Sequence, residues 1–114
     1  MSVTIYHNSR CSKSRQTLAL LEEKGIQPDV VAYLETPPSA DTLKNLLEQL
    51  GFDSPRQMMR TKEALYKELQ LADATDEQLI HAMVENPKLI ERPIVVANGK
   101  AAMGRPPENV LAIL

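Results

Sequence analysis

The most reactive side chain in this sequence is a thiol that stands alone. Cys11 is the only cysteine among 114 residues, so it can form neither an internal disulfide nor a cysteine-rich zinc site. Its surroundings read His7-Asn8-Ser9-Arg10-Cys11-Ser12-Lys13-Ser14-Arg15. Arg10, Lys13 and Arg15 bring positive charge to this stretch, and the first carboxylate of the chain is Glu22. Lone cysteines in cytosolic domains are mostly buried small hydrophobes; flanks that are polar and cationic on both sides argue instead for a reactive site. Nearby cations and a helix start lower a cysteine pKa from about 8.5 to roughly 3.5–7.5, which predicts a thiolate at neutral pH. Ser14 occupies the position three residues on, where a Cys-x-x-Cys pair would have its second thiol. Any oxidised or adducted Cys11 must therefore be resolved by a thiol from outside the chain. A metal site is not expected, because His7 and Cys11 supply only two ligands and His81 lies far along the chain.

The elements around the thiol must place it at a strand-to-helix junction. Val3–Tyr6 is a short β-branched and aromatic run, read as a strand. From Ser12 to Lys24 the pattern turns helical, with Leu18 and Leu21 on the apolar side and Lys24-Gly25 as a stop. Asp29–Tyr33 is a second strand, and the β-α-β unit so formed requires parallel strands. Cys11 then sits where unpaired N–H groups and the positive end of the helix dipole favour an anion. After Thr36-Pro37-Pro38 the chain reads as helical: Ser39 caps a helix through Leu50, Ser54-Pro55-Arg56-Gln57 is a capping-box signature, and Thr75-Asp76-Glu77-Gln78 opens another helix to about Val84. Ile94–Ala97 is a continuous apolar run read as a buried strand, and Asn98-Gly99 is a strong hairpin signal that pairs Lys100–Met103 back antiparallel. Arg105-Pro106-Pro107-Glu108 starts a last helix. The order β-α-β, helical insertion (about 39–85), β-β-α predicts one α/β domain over residues 1–114, a thioredoxin-like mixed sheet. Arg92-Pro93, just before the third strand, is the candidate for a cis bond.

Composition narrows the alternatives. Apolar residues make up 43% and charged residues 25%, ordinary for a globular domain and too apolar for a disordered chain. A net charge of −2, with three Tyr, one Phe and no Trp, argues against bulk attraction to nucleic acid and against base-stacking platforms. The N-terminus lacks signal-peptide character and no apolar run approaches the length of a membrane span. With a free thiol, these features fit a cytoplasmic setting. The five methionines, Met58-Met59 among them, read as core filling.

Several motifs, in order, resemble the glutaredoxin-coupled arsenate reductase (ArsC) family, most closely its shorter, less characterised branch. They are His7-Asn8 and Cys11 with the basic segment after it, Tyr33-Leu34-Glu35-Thr36-Pro37-Pro38, Met59-Arg60, Glu91-Arg92-Pro93-Ile94-Val95-Val96, and Gly104-Arg105-Pro106-Pro107-Glu108. The resemblance implies that Cys11 attacks arsenate, that Arg60, Arg92 and Arg105 hold the oxyanion, and that His7 helps activate the thiol. It further implies glutathione as co-substrate, glutaredoxin as partner and no bound cofactor. Asn8, Ser14, Arg15 and Pro93 are the supporting candidates. Chemistry agrees with this assignment: a thiolate approaching an oxyanion is repelled unless cations neutralise it, and arginine donates paired hydrogen bonds without losing its charge. By position alone, Arg60 beside Lys62 also reads as a solvated helix face. Ser9 and Arg10 depart from the Pro-Ala type of residues before the cysteine in well-known members, and the chain ends at Leu114 where longer members carry a tail. Two other readings compete with a reductase: a redox regulator of the Spx type docking on RNA polymerase, which the serine at position 14 disfavours, and a module that captures glutathione without arsenic chemistry.

Overall fold

The computed structural model describes residues 2–114. Their contacts define two units, one of the residues through Thr36 together with Arg92–Leu114, the other of Pro37–Glu91.

The first unit is built on a four-stranded sheet of β1 (Val3–His7), β2 (Asp29–Ala32), β3 (Ile94–Ala97) and β4 (Lys100–Met103), in the order β2-β1-β3-β4. β1 runs parallel to β2 and antiparallel to β3, and β4 returns antiparallel to β3. Register follows the period-2 alternation of a half-buried strand. Val3 sits opposite Ala97 and Ile5 opposite Val95, and these four share a core with Leu21 of helix α1 (Ser12–Glu23) and Val110. The β3–β4 turn places Asn98 at φ 55° and Gly99 at φ 75°, the paired positive angles that a tight hairpin turn demands.

Two expectations are refined. The last element, Pro107–Ile113, is a 3-10 helix rather than an α-helix. Both the Arg92–Pro93 and Arg105–Pro106 bonds are cis; only the first was expected. The buried stripe of α1 is Ser14, Thr17 and Leu21. Its first two members are hydroxyls, so the half of the helix nearest Cys11 meets its neighbours through hydrogen bonds and the far half through an apolar side chain.

The second unit is helical: α2 (Ala40–Leu50), α3 (Ala64–Glu68) and α4 (Asp76–Glu85), joined by 3-10 turns. Ser39 accepts from the Thr42 N–H at the start of α2, and Thr75 with Gln78 completes a capping box on α4. The Ser54–Gln57 capping box also forms, but it opens a 3-10 turn, Pro55–Met58, instead of an α-helix. Leu43 and Leu46 of α2, Leu79 and Met83 of α4, and Met58 are buried. Arg56 ties the unit together: Nε donates to the Tyr66 hydroxyl at 2.9 Å, and Nη2 donates to the carbonyls of Leu71, Ala72 and Ala74 at 3.1–3.3 Å. Among the described residues no helix is long and apolar enough to cross a membrane. Strand order, the β-α-β crossover and the helical segment between β2 and β3 together give the expected thioredoxin-like α/β fold.

Candidate functional site

Cys11 is the N-cap of α1, with extended backbone at φ −93° and ψ 123°. Its own N–H donates to the Asn8 carbonyl at 3.0 Å, and its carbonyl accepts from the Arg15 N–H at 3.0 Å. The loop is therefore closed on one side and the helix begun on the other, which leaves the thiol at the first turn among N–H groups that have no intrahelical partner. Partial burial pushes the thiol pKa up. Hydrogen bonding from the Ser14 N–H, the charge of Arg92, the Lys13 N–H and a side-chain hydrogen bond from Arg92 outweigh that, and the net shift is downward. Arg105 adds a second guanidinium: Nη1 lies 3.9 Å from Sγ and also donates to the Arg92 carbonyl at 3.2 Å. The geometry places a thiol of lowered pKa at a helix start, facing two arginines.

The local cations do less at the sulfur than their spacing predicts. Arg15 Nη1 donates to the Ser9 carbonyl at 2.8 Å, fastening the loop, and its charge acts on His7. The Arg10 backbone N–H donates to Asn8 Oδ1 at 3.0 Å and its side chain is exposed. Lys13 bears on the thiol through its backbone N–H. The decisive charge comes from Arg92, more than eighty positions along the chain.

His7 is tied to Ser14. Its Nδ1 lies 2.7 Å from Ser14 Oγ, which also accepts the Asn8 N–H at 3.0 Å. Burial, then the positive charge of Arg15, lowers the His7 pKa, a shift toward the neutral ring. The Ser14 hydroxyl thus joins the Asn8 backbone to the His7 ring. Ser14 is fully buried, so the position that would hold a second thiol in a Cys-x-x-Cys pair is a satisfied hydrogen-bond hub. A groove of about 230 Å³ runs beside this loop, lined by His7–Arg10 and by Ala32, Leu34 and Glu35.

Cys11, Arg92 and Arg105 thus come together in the first unit, with His7, Asn8, Ser14 and Arg15 in the supporting loop and Pro93 buried beside it. Arg60 belongs to the second unit. There its N–H donates to the Leu89 carbonyl at 2.7 Å and Nη2 lies 3.4 Å from Glu63. Among the described residues no three His, Cys, Asp or Glu side chains are grouped to hold a metal ion. Thr17 carries no signal in the sequence, and Gly104 stands there only as the first residue of the Gly104-Arg105-Pro106-Pro107-Glu108 motif, without a role of its own.

Fold and site define a class, a thioredoxin-like domain carrying one activated thiol and no partner cysteine. The profile of the ArsC family matches residues 6–113. The chain is 66% identical to the uncharacterized protein YfgD of Escherichia coli (strain K12), over 98% of this chain and 96% of that one. It is 54% identical to an arsenate reductase of Neisseria meningitidis serogroup A, over 98% of this chain and 97% of that one. The solved structure of an arsenate reductase from Vibrio cholerae superposes with a TM-score of 0.98 at 63% identity, covering 100% of this chain and 98% of that one. The chain belongs to the ArsC family.

Proposed function

We propose that this protein reduces arsenate to arsenite, with Cys11 as nucleophile and glutathione and a glutaredoxin as the thiol donors. The observation that carries the reading is the lone thiol at the start of α1, its pKa lowered, with the Arg105 guanidinium 3.9 Å from Sγ and the charge of Arg92 beside it. Arsenate resembles phosphate in shape and, like it, carries between about one and two negative charges at pH 7. Arg92 and Arg105 neutralise that charge while the thiolate approaches; Arg60 is the third arginine that the family resemblance implies.

The electron count explains why partners are required. Cys11 condensing with arsenate expels one oxygen as water and moves no electrons. Reduction of As(V) to As(III) takes two electrons, and this chain has a single thiol. Two external thiols supply them and end as a disulfide, so one arsenate and two thiols yield one arsenite, one disulfide and one water. Glutathione and a glutaredoxin are the proposed pair, because a small thiol reaches a loop-lined site and a second thiol protein regenerates the enzyme. His7 is assigned to activation of Cys11, and its contact with Ser14 holds the loop that presents the thiol. The relatives named arsenate reductase support the substrate assignment.

The test is steady-state turnover with arsenate, glutathione and glutaredoxin for wild type, Cys11→Ser and Arg92→Ala. Turnover by wild type and none by Cys11→Ser is expected; retained activity in Cys11→Ser ends this mechanism.

A further inference from the structure

Arg105 is an exposed residue on a surface turn, yet its guanidinium must stand at a fixed distance from Cys11. What holds it is the residue before it. Gly104 is buried, and its N–H donates to the Pro93 carbonyl at 3.0 Å. A Cβ built on Gly104 would meet Thr17 Oγ1 far inside contact distance, Pro93 Cγ at 2.8 Å and Thr17 Cγ2 at 3.0 Å. The backbone at 104 is therefore seated directly against the second turn of α1 and the ring of Pro93, in a gap that no side chain can share. Thr17, itself fully buried, supplies the facing wall. Its hydroxyl donates to the Lys13 carbonyl at 2.8 Å, with a longer branch to the Gly104 carbonyl at 3.4 Å. Further along, Asn109 Nδ2 donates to the Arg105 carbonyl at 3.2 Å. The strap that carries Arg105 is thus fastened on both sides of that residue.

We propose that Gly104 and Thr17 are positioning residues for the reaction: the close contact of the Gly104 backbone with the Thr17 side chain sets how closely the Arg105 guanidinium approaches the Cys11 sulfur. The inference rests on the reading of Cys11 as the nucleophile. Thr17 lies on the helix that begins at Cys11, and Gly104 lies next to Arg105, so the contact couples the two reacting sides through one layer of atoms. A methyl group at 104 pushes the strap off α1, and displacements near 1 Å at a reacting centre can cost about a hundredfold in rate.

The experiment follows alkylation of Cys11 by iodoacetamide as a function of pH, with melting temperature measured in parallel. The charged or titratable groups around the thiol are Arg92 and Arg105 on the strand side, Lys13 and Arg15 in α1, and Arg10 and His7 in the loop; none of them is altered by the variants. Gly104→Ala is expected to move the alkylation midpoint upward, so that the rate near pH 6.5 falls about fivefold to tenfold while the rate at high pH matches wild type. Its KM for arsenate rises about tenfold with a smaller change in kcat. Adding Thr17→Ala to Gly104→Ala removes Oγ1 and Cγ2 from the clash and recovers part of both losses, because Pro93 still presses on the new methyl. Thr17→Val keeps the volume, loses the hydroxyl and shifts the midpoint the same way by about twofold to threefold in rate; it carries the test if Gly104→Ala does not fold. A purely structural role lowers the melting temperature and leaves both the midpoint and the KM for arsenate in place, and that result in the folded variants overturns the proposal. A wild-type midpoint at the ordinary thiol value would instead remove the reading of Cys11 itself, whatever the variants do.

Discussion

The loop before α1 and the strap after β4 approach the same sulfur, and they are built in opposite ways. The loop is local. Its hydrogen bonds join Asn8 to Ser14, His7 to Ser14, Arg15 to Ser9 and Cys11 to Asn8, all within seven positions. The strap is distant: Gly104 meets Thr17 and Arg105 meets Cys11 across 87 and 94 positions. The loop holds the more conspicuous charges, and the one guanidinium bonded within it, that of Arg15, goes into its closure. The strap carries charge to the thiol. A cluster of cations in sequence is therefore a poor guide to which cation acts; the carbonyl that each guanidinium meets decides it.

The largest effect should come from the atom on which both regions converge. Cys11→Ser is expected to lower arsenate turnover by at least about a thousandfold with the fold retained, as measured by arsenite release and circular dichroism. Arg105→Ala and Arg92→Ala come next, each losing about 10²–10³ in kcat/KM, the range seen when a preorganised charge-stabilising donor is removed. Arg105→Lys recovers only part, since an ammonium cannot reach the Arg92 carbonyl and the oxyanion with a planar fork. Arg15→Ala sharpens the contrast: turnover changes by only about threefold or less, as for weak exposed charge interactions. Loss of the Arg15 charge does raise the His7 pKa, which imidazole proton shifts can follow by NMR. If Arg15→Ala harmed turnover as much as Arg105→Ala, the division of labour between loop and strap would be wrong.

Much of this was legible because it is local. The β1–α1 junction, the caps at Ser39 and Thr75 and the Asn98-Gly99 hairpin are written in runs of a few residues, and short-range geometry fixes them. Ser54–Gln57 shows where such reading stops. Its capping box forms, but only a 3-10 turn follows, because Met59 already leaves the helical region at φ −111° and ψ 151° and bridges Ile90. The thiol and its arginines were also visible as residue types. The wedge of Gly104 against Thr17 was not, because it is a contact between a missing side chain and a buried hydroxyl, and neither carries a periodic or charge signal. The hub role of Ser14 was hidden likewise, since a serine near a helix start ordinarily reads as a cap.

Two smaller effects probe the loop. Ser14→Ala leaves the Asn8 N–H and His7 Nδ1 without their shared partner, and stability should fall by about 1–3 kcal/mol in denaturant melts. The pH dependence of stability tests the thiolate directly. A folded-state thiol pKa below its unfolded value means that the unfolded chain binds more protons between the two, so stability rises with pH across that window. The contribution is complete above the ordinary thiol value of about 8.5 and is lost as pH falls through the lowered one. The difference between wild type and Cys11→Ser, measured by urea unfolding across this range, should show that rise; a flat difference would place the thiol in an ordinary environment.

The hydroxyl of Ser14 also bears on how such a domain can change over evolutionary time. One substitution, Ser14→Cys, would write a two-thiol motif into the sequence and on paper let the chain supply the two electrons of a turnover itself, with an outside reductant needed only to reopen the resulting disulfide. A thiol accepts and donates far more weakly than the hydroxyl it replaces, so the same step would loosen Asn8 and His7 in the loop that presents Cys11. A lineage moving from borrowed to built-in reducing power would first have to rebuild that loop, and each intermediate would present its nucleophile less well than its parent.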